Sequence, residues 1–234
     1  MTHRTTTDPA GTTPEIHLVW DWNGTVRDDL DDHVAALNAT LHRIGGPQVD
    51  VATYRALHTV PIRAFYDTLV GRTITDEEWS RSNAEFLADL HQRPVRLRAG
   101  VRQLMLSLRA AGLRQSLLSL APHERLLQEV AKTGIGGLME RIDGRVGEPP
   151  HSKAPALSAH LAALGVEPGR ALVIGDSLDD AVAAHEVGAV AVLHTGGLHS
   201  AERLAAAGVP LADSLDSAVE TGLSIINSAH RVGR

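Results

Sequence analysis

The chain has 234 residues, a formal net charge of −6, no cysteine, and 43% hydrophobic but only 3% aromatic residues. That length and apolar fraction suit one large domain, or a domain carrying an insertion, and exclude a disordered chain. The acidic balance argues against nucleic acid as a partner, and the missing cysteine excludes disulfides, thiolate metal sites and a cysteine nucleophile.

Residues 1–15 are rich in Thr and Pro and lack the apolar stretch of a signal peptide, so a disordered N-terminus is expected there. No segment approaches the ~18 apolar residues of a membrane span, which predicts a soluble cytoplasmic protein with no membrane partner. Ile16-His17-Leu18-Val19-Trp20 is short, apolar and β-prone, and runs into turn chemistry at Asn23-Gly24. Residues 28–95 then read as helices, over 31–44, 51–58, 62–70 and 76–92, the last with Thr75 as a capping start. The acidic run Asp28-Asp29 and Asp31-Asp32 is expected to open the first of these helices, where carboxylates suit the N-terminal dipole. Beyond it, apolar runs at 112–118, 171–174 and 190–193 alternate with helical periods at 98–111, 124–133, 154–164, 179–187 and 202–207. Continuous apolar strands alternating with helices predict an α/β fold built on a doubly wound parallel sheet. The domains expected are therefore a core of residues 16–27 and 96–234, interrupted by a helical cap of residues 28–95.

Three polar clusters follow three of those strands: Asp21-Trp22-Asn23-Gly24-Thr25, then Ser119, then Gly175-Asp176-Ser177-Leu178-Asp179-Asp180. In an open α/β sheet the ligand crevice lies at the carboxyl ends of the strands, so the clusters should converge. Carboxylates meeting there make a hard oxygen site suited to Mg2+. Lys153, with Lys132 one of only two lysines, would bring a positive charge able to hold phosphate. Taken singly, an Asp after a strand is usually a cap or turn residue, and Asp180 could be a first-turn helix carboxylate. Ser116 lies on the same strand as Ser119 and competes with it for the role. The thirteen histidines read as surface or cap residues. Trp22 could line the pocket or pack beneath the cap, and Arg55, Arg63 and Arg72 could face an anionic part of a substrate or simply be solvated.

The ordered set resembles the haloacid dehalogenase-like hydrolase superfamily, in its phosphoglycolate phosphatase-like branch with a helical cap after the first motif. The family pattern of apolar strand and Asp-x-Asp-Gly-Thr/Val is met by Val19-Trp20-Asp21-Trp22-Asn23-Gly24-Thr25-Val26. A Ser ending a strand is met by Leu117-Leu118-Ser119, a lone Lys followed by Pro by Ser152-Lys153-Ala154-Pro155, and Gly-Asp-Ser-x-x-Asp by residues 175–180. The likeness spans roughly residues 16–216. It implies a Rossmann-like core and a magnesium-dependent phosphomonoester hydrolase acting on a small phosphorylated metabolite. Asp21 would be nucleophile and metal ligand, forming an aspartyl-phosphate. Asp176 would bind Mg2+ directly, the backbone carbonyl of Asn23 would add a ligand, and Asp180 would support the metal or orient Lys153. Ser119 and Lys153 would hold phosphoryl oxygens as charge develops.

One position departs from the pattern. The family's second Asp, which protonates the leaving oxygen and activates water, is Asn23 here, and such acid–base help is worth about 10²–10⁴-fold. The departure leaves open a second reading, a catalytically weak protein that binds or senses a phosphorylated metabolite. Residues 28–95 contain no Lys for a Schiff base, which argues against carbon–phosphorus cleavage. The acidic Gly175-Asp176 motif argues against dehalogenation. A phosphomutase would depend heavily on the missing acid. The cap sequence does not identify the ester, nor does the chain reveal an oligomeric state.

Overall fold

The computed structural model describes residues 16–59, 61–148 and 152–232, so the expectation for residues 1–15 lies outside it. Six parallel strands form one sheet in the order β3-β2-β1-β4-β5-β6. They are β1 His17–Trp20, β2 Arg114–Pro122, β3 Ile142–Arg145, β4 Ala171–Gly175, β5 Val190–His194 and β6 Leu211–Ala212. The chain adds strands on one side of β1 first, then returns and adds them on the other. The order therefore reverses between β1 and β4, which is where a doubly wound sheet opens its crevice.

Side-chain alternation along β1 assigns the two faces. Leu18 and Trp20 join Leu117, Leu172, Ile174 and Val192 in a core covered by α5 (Val101–Ala110), α6 (His123–Thr133) and α10 (Leu215–Val232). Val19 points the other way, with Leu118, Val173 and Ala191, against α7 (Ala154–Leu164) and α8 (Leu178–Val187). The parallel sheet is thus buried on both sides, as its uninterrupted apolar strands require. After β5 the short α9 (Ala201–Leu204) leads to β6. Gly222 lies mid-helix in α10, where a Cβ would come within 2.2 Å of the Leu172 side chain; glycine lets that helix lie close on β4.

Between β1 and α5 stand α1 (Leu30–Arg43), α2 (Val51–Leu57), α3 (Ile62–Val70) and α4 (Asp76–Gln92). They enclose a hydrophobic cluster of their own, including Leu37, Leu41, Tyr54, Phe65 and Tyr66, which Leu198 from the loop after β5 joins. Thr75 caps α4 with a reciprocal bond pair to Glu78, the capping start read from the sequence. Among the described residues no helix is long and apolar enough to cross a membrane.

Three features were not anticipated. Strand β2 runs on past Ser119 to Pro122, with a register shift between Leu118 and Pro122, so Ser119 sits at a bend rather than an end. β3 is a half-exposed edge strand, Ile-Asp-Gly-Arg, with no apolar run to announce it. β6 and the 18-residue α10 complete the sheet domain after residue 207.

Candidate active site

Register brings the three polar clusters together. Trp20 is level with Leu117 on β2 and Ile174 on β4, so Asp21, Ser119 and Asp176 all emerge from the same edge within two residues of that line. The Asp21 amide donates to the Ile174 carbonyl at 2.9 Å, which carries the β1–β4 ladder one step beyond the strand.

Lys153, at the start of α7 and buried, donates to Asp21 Oδ1 at 2.5 Å and Asp180 Oδ1 at 2.6 Å. Asp180 is held for that role by a capping box at the head of α8. Its Oδ2 accepts from the Ser177 hydroxyl at 2.7 Å and the Ser177 amide at 3.1 Å, leaving Oδ1 for the lysine. Gly175 has no space for a Cβ, which would lie 2.3 Å from the Asp180 carboxyl carbon. Asp176 accepts from Thr25 Oγ1 at 2.9 Å and from the Leu198 amide at 2.5 Å. Gly24, with φ of +73°, and Gly197 close over it, and a Cβ on either would approach Asp176 Oδ2 to 2.2 Å.

Asp21, Asp176 and Asp180 each offer an oxygen within 4.8 Å of the others. Three buried carboxylates face one ammonium, and the electrostatics register the imbalance. Burial pushes Asp21 up to about 7 despite Lys153, with Asp180 adding to the rise. Burial raises Asp176 well above the usual carboxylate range, and Asp21 and Asp180 raise it further. Only Asp180 lies low: burial would raise it, but Lys153 and Ser177 outweigh that. The same two carboxylates outweigh the burial of Lys153 and lift it above the ordinary ammonium range. A surplus of buried, closely spaced oxygen anions fits a hard divalent cation. Asp21, Asp176 and Asp180 are the side chains placed to hold one.

Asn23 lies on the edge of the same cavity, and its Nδ2 donates to Asp29 Oδ2 at 2.6 Å. Asp29 is fully buried and also takes the Gly24 amide at 2.8 Å, with Arg27 at 3.4 Å and His33 at 3.2 Å. Burial would raise Asp29, but His33, Arg27 and Asn23 together hold it below the usual range. The acidic run is therefore not uniform. Asp31 is exposed and Asp32 pairs with Arg96 at 3.1 Å, while Asp29 is a buried anchor for the first motif rather than a helix-dipole carboxylate. Periodicity carried no sign of this.

Strand parity separates the two serines. Ser119 is buried on the cavity wall, whereas Ser116 lies on the opposite side, bonded to His17 and His160 at 2.8 Å each. Trp22 packs in the sheet core and donates to Glu129 at 2.8 Å; it does not line the cavity. The reading of the histidines as surface or cap residues fails for His17, His160, His194 and His199, which are buried outside residues 28–95; His33 and His58 lie within that segment and are buried there. Arg55 fastens α2 to the loop after β5 through the carbonyls of Thr195 and His199. Arg63 pairs with Asp76 at 2.7 Å, and Arg72 makes a two-pronged pair with Glu78.

The cavity above this floor has a volume of about 400 Å³ and reaches upward between α1, α3 and α4. A family model for haloacid dehalogenase-like hydrolases matches residues 17–188. A phosphoglycolate phosphatase of Synechococcus elongatus is 27% identical over 196 residues, covering 81% of this chain and 88% of that protein. Two solved structures share the fold. One, of a predicted phosphoglycolate phosphatase from Haemophilus somnus 129PT, has a TM-score of 0.72 at 22% identity, covering 87% of this chain and 96% of the other. The second, a haloacid dehalogenase-like family protein from Streptococcus pneumoniae, has a TM-score of 0.75 at 19% identity with the same coverage, 87% and 96%.

Proposed function

The chain belongs to the haloacid dehalogenase-like hydrolases, and from that premise we propose that it is a magnesium-dependent phosphomonoesterase acting through an aspartyl-phosphate on Asp21. The observation that carries the reading is the carboxylate triad of Asp21, Asp176 and Asp180, with Lys153 bonded to the first and the last, on the floor of a cavity. Likeness to a phosphoglycolate phosphatase supports a small phosphorylated metabolite as substrate, and residues 28–95 serve as the cap that closes over it.

Lys153 holds one oxygen of Asp21 and so leaves the other for attack. That oxygen bonds to phosphorus as the ester P–O bond breaks, and the electron pair departs with the alcohol oxygen. Water then attacks the phosphorus, the bond to Asp21 breaks, and inorganic phosphate leaves. Mg2+, held by Asp21 and Asp176 with the Asn23 backbone carbonyl as a further ligand and Asp180 behind them, would supply positive charge to the phosphoryl oxygens. Ser119 and Lys153 on the cavity wall donate to the same oxygens. Splitting the displacement keeps both steps short of an unaided attack by water.

Asn23 favours a second reading, a binding protein with little turnover, because an amide cannot give a proton to the departing oxygen. Magnesium-dependent hydrolysis of p-nitrophenyl phosphate separates the two, since its leaving group needs no proton. Turnover in wild type that vanishes in Asp21→Asn supports the phosphatase. Tight binding of phosphate esters without turnover supports the sensor.

A further inference from the structure

Aromatic side chains are scarce in this chain, with three Trp, two Tyr and two Phe. All of them except Trp20 and Trp22 line the cavity above Asp21: Tyr54, Phe65, Tyr66, Trp79 and Phe86. The two tyrosine hydroxyls are occupied, Tyr66 with Thr40 Oγ1 at 2.7 Å and Tyr54 with His33 Nδ1 at 3.1 Å, so both rings add mainly apolar surface. Trp79 and Phe86 are only half-buried and have surface left to give.

The cations on the cavity wall are already engaged. Lys153 serves Asp21 and Asp180. Arg63 holds Asp76 at 2.7 Å and the Ile74 carbonyl at 2.9 Å, Arg125 holds Glu129 at 2.7 Å, and Arg145 holds the carbonyls of Leu120 and Gly147. A substrate with a second anion, such as a carboxylate, would have to share a cation that already has a partner, using only the donors left over. A flat apolar group displaces nothing.

A third observation is chemical and independent of the cavity. With Asn23 pinned to Asp29 and unable to donate a proton to the leaving oxygen, the scissile bond must yield an oxygen that departs as an anion. An alkanol resembles water, whose proton leaves only far above neutral pH. A phenol resembles tyrosine, at about 10. In a loose phosphoryl-transfer transition state, where bond breaking runs ahead, that difference falls mainly on the rate.

We propose that the substrate is a phosphate monoester of a phenolic compound, its ring held among Trp79, Phe86 and Phe65 and its phosphoryl group on the carboxylate floor. The proposal rests on the phosphatase reading of the same site. As the Asp21 oxygen bonds to phosphorus, the P–O(aryl) bond breaks and the phenoxide leaves with its electron pair, taking its proton afterwards from water.

The test is kcat/KM of the full chain with Mg2+ on 1-naphthyl phosphate, 2-phosphoglycolate, glycerol 3-phosphate and acetyl phosphate. Acetyl phosphate has a good leaving group but no ring, so it reads the phosphoryl site alone. The expected result is naphthyl phosphate ahead of phosphoglycolate and glycerol phosphate by at least ~10²-fold, the low end of what general acid help supplies elsewhere. Trp79→Ala and Phe86→Ala should each lower the naphthyl-to-acetyl ratio of kcat/KM, by up to about tenfold for one aromatic contact. Leu87→Phe, which fills the chamber instead of emptying it, should lower the ratio too and covers the case in which an alanine variant fails to fold. Asp21-dependent turnover of acetyl phosphate with phosphoglycolate or glycerol phosphate preferred over the naphthyl ester overturns the aryl proposal and leaves the phosphatase standing. Turnover of none of the four overturns both.

Discussion

Replacing Asn23 by Asp would place a second carboxylate against Asp29, at the 2.6 Å now spanned by an amide hydrogen bond. At that separation and an effective dielectric of about 20, two full charges repel by roughly 6 kcal/mol. The pair can escape by retaining one proton. Holding a carboxyl of ordinary pKa near 4 protonated at pH 7 costs about 1.4 kcal/mol per pH unit, or about 4 kcal/mol. Arg27 at 3.4 Å and His33 at 3.2 Å already face Asp29 and relieve part of this. The variant should therefore lose about 2–4 kcal/mol at pH 7. The sign is fixed by linkage: the folded pair binds more protons than the unfolded chain, so the loss is absent near pH 4 and grows as pH rises towards 7. The exchange variant Asn23→Asp with Asp29→Asn reverses the amide and the carboxylate. The side-chain amide introduced at position 29 can donate to the carboxylate introduced at position 23 and accept from the Gly24 backbone N–H, so stability should return. The exchange also restores a proton donor at position 23, and kcat/KM on glycerol 3-phosphate should rise by at least ~10²-fold. Urea unfolding from pH 4 to 8 on both variants, with steady-state kinetics, is the assay. A single variant as stable as wild type at every pH, or an exchange variant as unstable as the single, would refute the reasoning.

Other expectations follow from the same geometry. Lys153→Met removes the ammonium between Asp21 and Asp180 and leaves buried carboxylates unpaired, a loss of about 3–5 kcal/mol in metal-free protein; added Mg2+ should recover part of it, read as a larger magnesium-induced rise in Tm than in wild type. Gly197→Ala drives a Cβ to 2.2 Å from Asp176 Oδ2, and the magnesium concentration for half-maximal activity should rise at least ~10-fold, the effect of disturbing a group that positions a ligand. His17 and His194 are buried and held down to about 4, His17 by burial and Arg114, His194 by burial and Arg98. The unfolded chain takes up these protons near 6.5 and the fold resists until about 4, so stability is full above 6.5 and falls with pH, by up to about 2 kcal/mol per histidine at pH 5. His17→Asn with His194→Asn should flatten the urea midpoint between pH 7.5 and 5 relative to wild type; an unchanged slope contradicts the assignment.

Legibility in the sequence followed the strength of local pattern. The helices from α1 to α8 and the strands β1, β4 and β5 were readable because each pairs an unbroken period with a cap or a turn, as in Thr75 before α4 and Ser177 before α8. β3 escaped because an edge strand exposed on one side needs no apolar run. Helix α10 escaped although Leu215, Ala218, Val219 and Ile226 keep a helical period, because the sheet already looked complete at residue 207. The convergence of Asp21, Asp176, Asp180 and Lys153 follows from strand ends in a parallel sheet, a rule of topology visible from the chain alone. Asp29 and the buried histidines were not visible in this way. Their burial is set by partners far along the chain or around a turn, as with His17 and His160, which both bond Ser116, and no local period reports such contacts. The aromatic chamber belongs with them, since Tyr54 and Phe86 come to line one cavity only once four helices have packed.

Phosphorylation of Asp21 itself tests the central claim most directly. Wild-type protein mixed with Mg2+ and p-nitrophenyl phosphate, quenched in acid within one turnover and reduced with borohydride, would convert an acyl phosphate at position 21 to homoserine. The account predicts that change in the peptide containing Asp21, dependent on Mg2+ and missing in Asp21→Asn. Full turnover in wild type with Asp21 unmodified, or turnover that persists in Asp21→Asn, would contradict it.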